Sequence, residues 1–101
     1  MSTLKLKNGT TKGETGKDSL KFCIYNAKDA AQIFPVEGGV GTISNGNTLD
    51  WTKSAGDKCK SYRIKWFKAA LFDELLASGT ASPGGSCEIY YDNGYHTRPI
   101  S

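Results

Sequence analysis

The chain has 101 residues, which suits one domain and is too short for two independent cores. Its hydrophobic share of 38% and its 12 glycines fit a turn-rich β protein better than a helical bundle, which needs long uninterrupted apolar stripes. A formal charge of +3 favours solubility and weak attraction to anionic surfaces, but falls short of a nucleic-acid-binding signature, so no nucleic-acid partner is expected.

The opening Met1-Ser2-Thr3-Leu4-Lys5-Leu6-Lys7 lacks the apolar run of a signal peptide, and no stretch approaches the roughly 20 apolar residues of a membrane-spanning helix. The expectation is a protein that is cytoplasmic as synthesised or released without a signal peptide, or secreted if a preceding signal has been removed. Residues 3–7 alternate, with Leu4 and Leu6 on one face and Lys5 and Lys7 on the other. Asn8-Gly9 follows, the strongest short-range hairpin signal. Residues 10–18 are polar throughout and read as a loop or weak edge strand. From Ser19 to Asn26, Leu20, Phe22 and Ile24 share a face against Lys21, Cys23 and Tyr25, which predicts a half-buried strand.

Ala30 to Val36 reads as another strand, confined to an edge or ended by Pro35. Val40 to Ser44, the Asn45-Gly46 turn and Thr48 to Thr52 predict a second hairpin. The longest strand candidate runs from Ser61 to Lys68, with Tyr62, Ile64 and Trp66 facing the core and Arg63, Lys65 and Phe67 opposite. Ala69 to Ala77 divides between a short helix, favoured by the spacing of Leu71, Phe72, Leu75 and Leu76, and an extended pair interrupted by Asp73-Glu74. Ser78 to Gly85 reads as a loop and Cys87 to Tyr91 as a strand. Asp92-Asn93-Gly94 then turns the chain into a last strand, from Tyr95 to the closing Pro99. Turn signals every eight to twelve residues or so predict an all-β fold, a compact antiparallel sandwich or barrel, with the sandwich preferred.

Catalytic equipment is sparse. The only histidine, His96, needs a nucleophile and an orienting acid; Cys87 serves only if the last two strands pair in one register, and Asp92 or Glu88 would have to orient it. The three cysteines, Cys23, Cys59 and Cys87, form no Cys-x-x-Cys pair, which argues against zinc. Buried thiols are the preferred reading, with a Cys59–Cys87 bridge as the alternative. Gly13-Glu14-Thr15-Gly16-Lys17-Asp18-Ser19 has two residues between its glycines where a phosphate loop needs four, so it reads as a turn. Asn8-Gly9-Thr10 matches a glycosylation sequon, relevant only to a secreted protein. No cofactor and no metal are expected, and the protein is not expected to be an enzyme.

The stretch from Lys58 to Lys68 carries five positive charges and no negative one. It offers Arg63 and Lys65 to phosphates or lipid headgroups, although a solvated strand face that discourages edge pairing has the same composition. Tyr90, Tyr91 and Tyr95 surround the Asp92-Asn93-Gly94 turn, and alternation leaves at least one ring exposed near its tip. Trp51 is either a further contact beside Asp50 or a plug at one end of the sandwich, the latter being favoured.

Several segments in order resemble the small single-domain insecticidal proteins of soil bacteria. They are Leu20-Lys21-Phe22-Cys23-Ile24-Tyr25-Asn26, the span from Ile43 through Asn45-Gly46 to Trp51, the strand at 61–68, Cys87 to Gly94, and the closing Arg98-Pro99-Ile100-Ser101. The same pattern is more loosely similar to the aegerolysins, small membrane-recognising β-sandwich proteins. Residues 1–18 have no counterpart in the insecticidal pattern, and 69–77 are unusual in it. The resemblance implies a non-enzymatic, defence or toxin-like protein that recognises a membrane or cell-surface lipid or glycan. Trp51, Arg63, Lys65, Tyr90 and Tyr95 are the candidate contacts, chosen by side-chain type and expected exposure. A protein- or carbohydrate-binding interaction or inhibitor module, presenting the 83–85 and 92–94 loops, is the alternative. Exposed strands in so short a chain also leave a homodimer open.

Overall fold

The computed structural model describes residues 2–28, 32–34, 41–53, 60–68 and 74–100. These form nine strands and one single-turn helix: β1 (Ser2–Asn8), α1 (Lys12–Thr15), β2 (Ser19–Asn26), β3 (Gln32–Phe34), β4 (Gly41–Ser44), β5 (Thr48–Lys53), β6 (Tyr62–Phe67), β7 (Leu75–Ala81), β8 (Ser86–Tyr91) and β9 (Tyr95–Arg98). The strands build two sheets, one ordered β5-β1-β8-β9 and the other β3-β2-β6-β7, with β4 also paired to β2. The fold is thus an all-β sandwich. Every strand pair is antiparallel except β1 with β8.

Alternation in β1, β2 and β6 sends Leu4, Leu6, Leu20, Phe22, Ile24, Tyr62, Ile64 and Trp66 into one buried core with Ile43, Cys87 and Ile89. Aromatic rings run through it as a chain. Trp66 meets Phe22 at 5.9 Å, Phe22 meets Phe34 at 5.9 Å, Phe34 meets Trp51 at 6.1 Å and Trp51 meets Tyr62 at 5.5 Å between centroids. Trp51 comes from one sheet and the other four rings from the second, so the chain joins the layers; each buried ring contributes about 1.5–3 kcal/mol. Gly41, opposite Phe22 in register, has no side chain because a Cβ there would collide with the Phe22 ring. Phe67, expected on the outer face, is buried: the pairing of β6 with β7 shifts register between Trp66 and Phe67, which breaks the alternation.

Neither of the first two Asn-Gly dipeptides makes a hairpin. After Asn8-Gly9 the chain crosses between sheets through α1, and after Asn45-Gly46 it leaves β4 in one sheet for β5 in the other. The two crossings clasp each other. Asn8 Nδ2 donates to Ile43 O at 2.9 Å and to Asn45 Oδ1 at 3.1 Å, while Asn8 Oδ1 accepts from the Thr10 backbone N–H at 3.0 Å and from the Thr10 hydroxyl. Gly46 N donates to Asn8 O at 2.7 Å, and Asn8 N to Asn47 O at 3.1 Å. Asn8 is fully buried, which removes the sequon's acceptor nitrogen from the surface of the folded protein.

Residues 10–18, expected as loop or edge strand, contain α1. A capping box between Thr11 and Glu14 starts it, and Gly16 at φ 74° ends it in the left-handed conformation. The helix alternative for 69–77 fails for its last residues, since Leu75 to Ala77 belong to β7; residues 69–73 lie outside the described residues. Ser78 to Ala81, expected as loop, continue that strand. The Asp92-Asn93-Gly94 hairpin forms as expected, with Asn93 at φ 54° and Gly94 at φ 142°. Cys23 and Cys87 are in no disulfide, so the Cys59–Cys87 bridge is not made; Cys59 itself lies outside the described residues.

Candidate functional site

The β8–β9 hairpin fixes one wall of the site. Its register sets Glu88 opposite Arg98 and Tyr90 opposite His96, all four on the outer face of their sheet, while Cys87, Ile89 and Thr97 point inward. Glu88 is 7% exposed because a carboxylate lying against Gly9 is covered by cations on both sides. Lys7 Nζ stands 3.8 Å from Glu88 Oε2, and Arg98 Nε donates to Glu88 Oε1 at 3.1 Å. That ion pair holds the Arg98 guanidinium over Tyr90, with Cζ 4.0 Å from the ring centroid. The other neighbour of Tyr90 is the His96 ring, 5.5 Å away.

The second wall comes from β6 and β7. Arg63 is exposed and its Nη1 donates to Ser78 Oγ on the neighbouring strand at 3.0 Å. Lys65 is half-buried and stacks its ammonium 4.9 Å above the Tyr25 ring. β7 and β9 are terminal strands of their two sheets, and they approach closely at Gly79. A Cβ on Gly79 would stand 2.7 Å from Thr97 Oγ1 and 3.0 Å from Cys87 Sγ.

Beside this approach opens a cleft of about 420 Å³, lined by Arg63, Ser78, Gly79, Thr80, Cys87, Thr97, Arg98 and Pro99. Two arginines and three hydroxyl-bearing residues line it, and no Asp or Glu among the described residues does; the Arg98 guanidinium itself lies over Tyr90 with Glu88 as its ion-pair partner. Burial pushes the Cys87 thiol above its ordinary range; the Trp66 N–H beside it opposes that shift and the Glu88 charge adds to it.

Of the expected contacts, Arg63 lines the cleft, Lys65 lies on the same strand two residues on, and Tyr90 supports Arg98. Trp51 is buried in the aromatic chain and offers no surface, as the favoured plug reading has it. Tyr95 is half-buried and packs edge-on against the 40%-exposed Tyr91 at 5.1 Å, away from the cleft residues. Burial, followed by Tyr91, Glu74 and Glu14, pushes the Tyr95 hydroxyl upward. Arg98, Ser78, Thr80 and Thr97 were not legible as site residues. Arg98 was hidden because its place depends on two edge strands from different sheets lying side by side; the β7 hydroxyls were hidden because Gly79 and Pro83 made their segment look like a loop.

His96 and Cys87 lie on opposite faces of one sheet, so they form no dyad. The His96 Nε2 stands 3.0 Å from the backbone oxygen of Asp92, not from its carboxylate. No three potential metal ligands come together among the described residues, and none of their helices is long and apolar enough to cross a membrane. No family model, curated protein or solved structure matches the chain.

Proposed function

We propose that the protein is a non-enzymatic recognition protein of the defence or toxin type, engaging an anionic component of a target cell's membrane or surface. The observation that carries this reading is the pair of cation-over-ring contacts, Lys65 on Tyr25 and Arg98 on Tyr90, near a cleft that Arg63 and Arg98 both line. Rings support the cationic groups from beneath and leave their outer sides to a ligand; Arg forks match phosphate and sulfate oxygens. The separation of His96 from Cys87 supports binding over turnover.

Sedimentation with vesicles tests it. Folded protein should pellet with anionic vesicles at low salt, and the bound fraction should fall several-fold at about 0.5 M salt, where charges are screened within a few ångström. Salt-resistant pelleting selective for sterol- or sphingolipid-containing vesicles would keep the membrane reading and move its contacts to the aromatic rings. No pelleting with any mixture, and no retention on immobilised glycans, would overturn it in favour of a protein partner for the rigid loops.

A further inference from the structure

The cleft between β7 and β9 carries a narrower inference, which rests on the recognition reading above and names its ligand. Arg63 is held by Ser78 at 3.0 Å, and Arg98 by Glu88 through Nε at 3.1 Å. An arginine anchored through Nε keeps both terminal nitrogens of its fork for another acceptor. The two groups are therefore oriented before any ligand arrives, which lowers the ordering cost of binding. Thr80 and Pro99 also border a second depression of about 360 Å³, whose other polar walls are Ser61, Ser82 and Ser86. The two depressions adjoin at Thr80 and Pro99 as the halves of a groove, one lined by two arginines and the other by uncharged, hydroxyl-bearing residues.

We propose that this groove binds a phosphate or sulfate ester carried on a polyol, with the anion between Arg63 and Arg98 and the polyol hydroxyls along Thr80, Ser82 and Ser86. Two guanidinium groups supply charge-assisted donors to a tetrahedral oxyanion, and serine and threonine hydroxyls both donate to and accept from alcohols. The size fits a single sugar-sized head, since ligand pockets begin near 300 Å³. No aromatic ring among the described residues lines either half, so a nucleobase would find no platform on which to stack. The same chemistry is presented by a soluble inositol phosphate, a phosphoinositide headgroup and a sulfated glycan.

Calorimetric titration with inositol 1,4,5-trisphosphate and with sucrose octasulfate tests the groove without a membrane. Saturable one-to-one binding of at least one probe is expected, weakened tenfold or more in both Arg63→Gln and Arg98→Gln, and changed less than twofold in Lys28→Gln. Thr80→Val, which keeps the side chain's shape, should weaken the polyol ester about threefold or more and leave inorganic sulfate binding unchanged. Circular dichroism and thermal melting of each variant establish folding. Preference for the trisphosphate, repeated on vesicles containing phosphatidylinositol bisphosphate, would assign the headgroup; preference for the octasulfate would assign a glycan. Absence of binding to both probes, or twofold or smaller losses in both arginine variants, overturns the groove. If the arginine variants still pellet with anionic vesicles, the groove fails while the broader reading stands; arginine-dependent probe binding without pelleting does the reverse.

Discussion

The two sheets meet at two junctions of opposite character. At the Asn8–Asn45 clasp, the side chain is fully buried and its amide has a partner on both ends, spanning 37 positions of sequence. Where β7 meets β9, exposed Arg63 and Arg98 border a cleft with no Asp or Glu among its described lining residues. Buried amides satisfied on all sides specify geometry and offer nothing to a ligand. Exposed cations held in place beside an open cleft, Arg98 by its Glu88 partner and Arg63 by Ser78, are the complement. The first junction keeps the sandwich together, and the second is available for binding.

Breaking the clasp should have the largest effect on stability. Asn8→Ala deletes both donors to Ile43 O and Asn45 Oδ1 and strands the Thr10 N–H. At roughly 1–3 kcal/mol for each buried group left unpaired, partly relieved by water, a loss of about 2–4 kcal/mol is expected in urea unfolding. Asn8→Asp should cost more, because it loses the donor and buries a charge. Binding per folded molecule should not change in either variant. A loss below about 0.5 kcal/mol would mean that the clasp is incidental to the fold.

Gly79→Ala probes the second junction and should fall next in size. Its Cβ would stand 2.7 Å from Thr97 Oγ1 and 3.0 Å from both Cys87 Sγ and Thr97 Cβ, so β7 must move off β9. Overpacking of this kind costs about 1–3 kcal/mol. Pairing it with Thr97→Ala should restore part of the loss, giving a coupling above about 0.5 kcal/mol in a double-mutant cycle. Additive losses would show that the contact does not hold the strands in place.

Neither junction was legible in the sequence, because each depends on contacts between segments far apart in the chain. The strands with clean alternation, Ser19–Asn26 and Tyr62–Phe67, and the Asp92-Asn93-Gly94 hairpin could be found because their signals are local: period-two burial and a turn that demands positive φ. Asn8-Gly9 and Asn45-Gly46 carry the same local signal, yet their partners are each other, a pairing that no window of ten residues contains. The capping box of Thr11 and Glu14 was in plain view and was masked by the polarity of its neighbours. For the cleft, Arg63 was visible by its charge. Arg98 was not, since its role depends on two edge strands from different sheets lying side by side. Trp51 carried both signals, Asp50 beside it for a surface contact and its bulk for a plug, and Phe34 and Tyr62 pack against the buried ring.

Alkaline pH is the mildest way to separate the junctions, because only one of them titrates. The clasp side chains Asn8, Thr10 and Asn45 have no protons to lose in the working range. The cleft wall contains Cys87, whose thiol is held up chiefly by burial and further by Glu88 against the opposing Trp66 N–H. A group raised on folding contributes stability that is complete below its unfolded pKa, about 8.5 for cysteine, and lost as pH rises through the folded value. Cys23 and the Tyr25 and Tyr95 hydroxyls shift in the same direction, so the stability of the whole protein should decline above about pH 8.5. Urea midpoints between pH 7.5 and 10 separate the contributions. Cys87→Ala should start from a lower midpoint and fall less steeply than the natural sequence. Asn8→Ala should start lower still and fall with the natural slope. Equal slopes in the natural sequence and Cys87→Ala would remove the cleft thiol from the alkaline transition and leave it to Cys23 and the tyrosines.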